Sequence, residues 1–261
     1  MTEQPLVLVN RDDGVVTLTL NRGERYNPLS RAMIGALQEE VNRLAEDRSA
    51  RVVILAAAGK GFSAGHDLKE MLAHAGDEPW QRELFDACSR VMVDLTRLPQ
   101  PVIARVHGIA TAAGCQLVSM CDLAVASEAA TFALPGVNVG IFCSTPAVGV
   151  GRNIGRKQAM EMLLTGQSIA AATALEWGLV NRVVPADKLD EAINLFVQLI
   201  LGRSGAVIAA GKRTYYRQID QPLEQAYDTA GATMVRNLGF DDASEGIGAF
   251  LGKRTPAWKG T

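Results

Sequence analysis

Two stretches of this chain place a glycine among small residues at the start of a helical pattern. Phe62-Ser63-Ala64-Gly65-His66-Asp67-Leu68-Lys69 runs from strand to glycine turn to helix. Ile109-Ala110-Thr111-Ala112-Ala113-Gly114-Cys115-Gln116 repeats the design in mostly small residues. The first residues of a helix carry backbone N–H groups with no partner inside the helix, and the helix dipole adds positive potential there. Small side chains let a ligand approach such a backbone. Two turns of this kind facing each other would donate two hydrogen bonds to one oxygen that gains negative charge during a reaction. Each turn alone also reads as helix punctuation, and spacing does not show that the two face each other.

The remaining reactive side chains offer less. Asp67 suits the N-cap of the helix after the first turn better than proton transfer. Cys88, Cys115, Cys121 and Cys143 lie far apart with no CxxC pattern, as expected of reduced, buried thiols. Cys143 reads as a packing thiol or a nucleophile, with no histidine visibly placed to activate it. The three histidines, His66, His74 and His107, include no i, i+4 pair, so no metal site is expected.

The elements that must hold these residues alternate between short strands and helices, which predicts an α/β fold. Leu6–Val9 and Val15–Leu20 flank Asp13-Gly14 as a hairpin. Leu29, Met33, Leu37, Val41 and Leu44 share one face of a helix over Pro28–Arg43, with Ser30 as its N-cap. Val52–Ala56 and Val102–Val106 are buried strands, and Pro79–Leu98 is a long helix stopped by Pro99 and Pro101. Asp122–Ala126 and Thr131–Ala133 are further strands. From Gly155 the pattern becomes mostly helical, interrupted by a strand at Val180–Val184. A boundary near Gly202–Gly205 divides an α/β core (1–202) from a helical C-terminal region (203–261).

At 261 residues the chain can bury a sizeable core, and its 48% apolar and 21% charged residues are those of a globular enzyme. A net charge of -2 gives no basic surplus for nucleic acid and no polybasic segment for a membrane. Met1–Asn10 lacks a secretory pattern and no apolar run reaches the length of a membrane span, so the expected compartment is the cytoplasm.

Several longer motifs occur together. SAGHDLKEM (63–71), PVIARVHGIATAAGCQLVSMCDLAVAS (101–127), FALPGVNVGIF (132–142), AMEMLLTGQSIAAATALEWGLVNRVVP (159–185) and EGIGAFLGKRTPAW (245–258) resemble, in order, the motifs of the enoyl-CoA hydratase/isomerase, or crotonase, family. The strings GHDL, AAGCQL, PGVNVG and FCSTP carry a narrower likeness, to its subgroup of enoyl-CoA hydratase domain-containing proteins. The resemblance implies a spiral of ββα units with a C-terminal helical trimerisation region, assembled as a homotrimer or a dimer of trimers. It implies an acyl-CoA or enoyl-CoA thioester as ligand, and no cofactor beyond the coenzyme A of the substrate. His66 and Ala113 would supply the oxyanion N–H groups, and Ala64 and Leu68 backbone groups for the adenine. Lys69, with Lys253 or Lys259 from a neighbouring subunit, would meet the phosphates, or else these lysines belong to a solvated surface.

The family's hydratases use two glutamates to add water across the conjugated double bond. By resemblance those positions are Gln116 and Gly136, neither of which titrates. A positioned acid or base contributes about 10²–10⁴-fold, so efficient hydration by the usual route is not expected. Ser144 falls where some members carry a catalytic aspartate. Leu117, Leu134, Ile141 and Phe142 are candidates for the acyl pocket as well as for ordinary core. Three readings stay open: an enzyme that chiefly stabilises an enolate, with decarboxylation the clearest case; a hydratase or isomerase with displaced acid/base groups or low activity; and a non-catalytic acyl-CoA binder or oligomeric partner.

Overall fold

The computed structural model describes residues 4–261. Strands β1 (Val7–Asp12) and β2 (Val15–Leu20) form the expected hairpin, with Val7 opposite Leu20 and Asp12 opposite Val15. Asp13 and Gly14 turn with φ of 39° and 81°, the left-handed pair that matches hairpin twist. Helix α1 (Arg31–Glu46) starts at Ser30, whose Oγ accepts from the Met33 N–H at 3.2 Å, and it buries Met33, Leu37, Val41 and Leu44.

Strand β3 (Val52–Ala57) is buried along its whole length. Its side chains alternate between two cores: Val53, Leu55 and Ala57 point to one face, Val52, Ile54 and Ala56 to the other. Helices α2 (Leu68–Ala73) and α3 (Glu78–Arg97) follow, the latter ending just before Pro99. Next come β4 (Val102–Val106), β5 (Ala110–Thr111), α4 (Ala113–Ser119), β6 (Leu123–Ser127) and β7 (Thr131–Ala133). After β7 the chain makes a 3₁₀ turn over Pro135–Val139 and then helix α5 (Ser144–Asn153).

Helix α6 (Arg156–Thr165), β8 (Ser168–Ala170), α7 (Ala171–Trp177) and β9 (Arg182–Val184) complete the mixed region, and β9 is shorter than expected. Four helices close the chain: α8 (Leu189–Leu201), α9 (Gly205–Gln218), α10 (Leu223–Leu238) and α11 (Asp241–Leu251).

The strands make a six-stranded sheet in the order β1-β2-β3-β4-β6-β9 and a three-stranded sheet in the order β5-β7-β8. Apart from the hairpin, the large sheet is parallel. The winding is regular: β4 and β6 lie in the large sheet, β5 and β7 in the small one, and α4 and α5 follow each pair. That is the spiral of ββα units expected for this α/β chain. One face of the large sheet packs under α1 and α3, the other under α8 through Leu189, Ala192, Ile193 and Val197.

Helix α9 is tied to this framework by a buried polar cluster. Lys212 Nζ donates to Leu95 O (3.0 Å), Gln100 O (2.9 Å) and Asp122 Oδ2 (2.6 Å). Asp122 also accepts from Tyr216 OH at 2.9 Å and from the Val102 N–H at 2.7 Å. Burial lowers the Lys212 pKa, and Asp122 opposes that shift.

Candidate functional site

The two glycine turns meet. Ser63 and Ala110 form a parallel bridge, in which the Ser63 N–H donates to Ile109 O (3.0 Å) and the Thr111 N–H donates to Ser63 O (2.9 Å). Gly114 packs onto Ser63 so closely that a Cβ there would lie 2.4 Å from Ser63 O. Gly65, at φ +86°, packs onto the second turn. A Cβ at Gly65 would lie 2.9 Å from Ala112 Cβ and 3.2 Å from the Ala113 nitrogen. Ala112 itself holds φ 49° and ψ -120°, a conformation that side chains disfavour, and its N–H donates to Ala133 O at 2.9 Å.

This packing sets the turn that precedes the His66 N–H against the start of α4 and its Ala113 N–H. Among the described residues neither N–H has an acceptor. Ala113 opens α4, where the lack of an intrahelical partner is intrinsic to the geometry. His66 follows a turn pinned by Leu29 N–H to Gly65 O at 2.8 Å and Ala64 N–H to Tyr26 O at 2.9 Å. Asp67 caps α2 by accepting from the Lys69 and Glu70 N–H groups, and Arg25 holds its other oxygen at 2.9 Å. Its expected role as a cap is what the structure shows.

Both turns border a cavity of about 580 Å³. Its walls are mainly apolar: Met71, Phe85, Val139, Ile141, Phe142 and Pro146 stand beside Ala64, His66, Leu68, Ala112 and Ala113. Among the described residues no aspartate or glutamate lines it, and its titratable side chains are His66 and Cys143. The His66 ring meets Phe85 edge-on, with centroids 5.3 Å apart, and its Nε2 is enclosed without a partner. Burial lowers its pKa to about 4, so the imidazole is neutral at physiological pH. Burial raises the Cys143 thiol above its usual value, against a hydrogen bond from the Gly136 N–H to Sγ at 3.3 Å.

The expected site residues divide. Ala64, His66, Leu68, Ala113, Gly136 and Ser144 all line the cavity, as do Ile141 and Phe142. Ser144 is exposed at the first turn of α5. The Ala64 N–H is already committed to Tyr26, which leaves its carbonyl for a ligand. Gln116 is not among the residues lining the cavity; it is buried in α4, with Oε1 enclosed and unpartnered.

Leu117 and Leu134 are core residues. Lys69 is exposed beyond the lining, and Lys253 sits after α11 at φ 51°, also outside it, as is Lys259. Gly136 does not enlarge the pocket. A Cβ there would lie 2.3 Å from Ile141 O and 2.9 Å from Cys143 Sγ, so the 137–143 segment already fills that space. Phe85 and Met71 were not anticipated; Phe85 lies off the fully buried stripe of α3 that runs through Leu84 and Cys88.

The chain matches the family profile described as enoyl-CoA hydratase/isomerase over residues 10–261. It is 46% identical over 257 residues to the rat (Rattus norvegicus) enoyl-CoA hydratase domain-containing protein 3, mitochondrial, spanning 98% of this chain and 85% of that protein. A crystal structure of an enoyl-CoA hydratase from Mycobacterium smegmatis superposes with a TM-score of 0.96 at 55% identity, covering 98% of this chain and 99% of that one. The crystal structure of human enoyl coenzyme A hydratase domain-containing protein 3 gives 0.94 at 45% identity, covering 98% and 100%. The mitochondrial designation of the rat protein overturns the cytoplasmic expectation. Buried thiols and the lack of a long apolar run suit an organelle interior equally well, so they never separated the two compartments.

Proposed function

Because the chain belongs to the enoyl-CoA hydratase/isomerase family, we propose that it binds an acyl-CoA thioester with the carbonyl oxygen between the His66 and Ala113 N–H groups. The observation that carries this reading is the pair of partnerless N–H groups on facing turns at the edge of one apolar cavity. Each donor aimed at a developing oxyanion is worth on the order of 10²–10³-fold in rate. The acyl chain takes the apolar walls. The Ala64 carbonyl and the Leu68 N–H face the adenine, and Lys69 reaches toward the phosphates. Lys253 and Lys259 complete the phosphate contacts from a neighbouring subunit of a trimer or a pair of trimers.

The chemistry that fits this lining polarises the thioester and stabilises its enolate without a carboxylate pair. Loss of CO₂ from a 2-carboxyacyl thioester is the clearest such reaction, because the departing group leaves the electrons behind. A second reading, an acyl-CoA binder that does not turn its ligand over, is favoured by the same absence of an acid/base pair from the walls. Calorimetry with CoA and with saturated acyl-CoAs is expected to show binding, and no binding at millimolar ligand would remove the proposal. Hydration of crotonyl-CoA, followed by loss of the enoyl absorbance, is expected to run about 10⁴-fold or more below a two-carboxylate relative.

A further inference from the structure

We propose that the cavity selects acyl chains by charge: it takes thioesters of hydrocarbon acids and rejects chains that end in a carboxylate, with Phe85 as the determinant on the α3 wall. The inference rests on the thioester reading above and deepens it from ligand class to chain type. Among the described residues the lining holds no lysine or arginine, just as it holds no aspartate or glutamate. Its one basic side chain, His66, is neutral at physiological pH and has Nε2 enclosed. The polar side chains Asn138, Ser144 and Thr145 all belong to the 138–145 segment, so the α2 and α3 walls offer only Leu68, Met71 and Phe85.

A terminal carboxylate set against those walls would lose water and find there neither a cation nor a hydrogen-bond donor. A methyl group in the same place gains by leaving water. Leu68, Val139, Ile141 and Phe142, with 54%, 58%, 42% and 45% of their surface open, provide apolar area for a hydrocarbon chain to cover. The rule concerns the far end of the chain; a carboxyl group on C2 is one bond from the carbonyl held by the two N–H groups. Phe85 is singled out by its place on α3. That helix buries Leu84, Cys88, Val91 and Leu95 in the core, whereas Phe85 lies off the stripe, in the cavity wall, with its ring edge-on to His66. A basic side chain at this position would supply the partner that a carboxylate lacks, so the preference can be reversed there.

Two thioesters of the same shape separate charge from size. The chain of 5-methylhexanoyl-CoA ends in two methyl groups, and glutaryl-CoA carries carboxylate oxygens in their place. Calorimetry on the full-length protein should show the hydrocarbon ligand bound about 100-fold more tightly or better. Affinity should also rise about two- to fourfold per methylene from butanoyl-CoA to hexanoyl-CoA. Phe85→Lys should bring the two isosteric ligands to within about threefold of each other or invert their order, and Phe85→Leu should keep the preference. Where Phe85→Lys fails to fold, Phe85→Gln, neutral and able to hydrogen-bond, should narrow the gap. Weakening of both ligands alike, with the preference intact, would show that Phe85 is structural only and overturn its role. Equal affinity for the two ligands in the unsubstituted protein would overturn the inference alone, since thioester binding would stand. Binding of neither ligand, nor of butanoyl-CoA, would remove the thioester reading and this inference with it.

Discussion

Gly65 sets how closely the two turns of the site can pack, because a Cβ there would stand 2.9 Å from Ala112 Cβ and 3.2 Å from the Ala113 nitrogen. Gly65→Ala adds a methyl group at φ +86° against Ala112 and is expected to weaken acyl-CoA binding about tenfold or more, read by calorimetry. Gln116 and Gly136 carry no carboxylate. Spacing could not reveal that Gln116 is buried in α4 or that Gly136 has no room for a Cβ beside Ile141 O.

His66 makes a separate prediction. Its folded pKa of about 4 lies below the roughly 6.5 of an unfolded chain, so unfolding takes up a proton between those values. The stability it contributes is complete above about pH 6.5 and is lost as pH falls toward 4, by at most about 3 kcal/mol. Urea unfolding at several pH values should show this slope, flattened in His66→Phe. An unchanged slope in that variant would refute the assignment.

Elements with strong local signals came through from the sequence. Ser30 and Asp67 cap their helices as their types suggest, and Asp13-Gly14 makes the turn its composition predicts. Helix α5 did not, because Ser144–Asn153 contains a proline and two glycines and shows no apolar stripe, so tertiary packing against α4 has to override weak propensity. The tie between α9 and the sheet was equally hidden, since Lys212 and Asp122 lie 90 positions apart. Lys212→Met removes one partner of a buried pair and leaves Asp122 uncompensated. The expected loss is about 3 kcal/mol in equilibrium unfolding. Tyr216→Phe, which removes a single hydrogen bond to the same carboxylate, should cost about 1 kcal/mol.

At the scale of the whole molecule, the C-terminal helices leave much apolar surface uncovered. Tyr227, Val235 and Leu238 on α10 and Phe250 and Leu251 on α11 are all exposed in the single chain. Large apolar side chains exposed along two helices suit an association surface. The proposed trimer predicts that sedimentation equilibrium will give a mass three or six times that of the chain. Phe250→Asp should shift it toward monomer, and a monomeric parent protein would sink the proposal. Composition foretold neither this surface nor the compartment, because both depend on what lies outside the chain's own fold.

Ala112 joins these scales. An alanine occupies a backbone conformation better suited to glycine, immediately before the Ala113 donor. Such a position costs on the order of 1–3 kcal/mol in the absence of ligand. Replacing it with glycine would relieve that cost and raise the melting temperature, while freeing the donor to wander and loosening the grip on a thioester. Thermal stability and ligand affinity should therefore move in opposite directions at this one position, a trade-off built into the backbone rather than into any side chain.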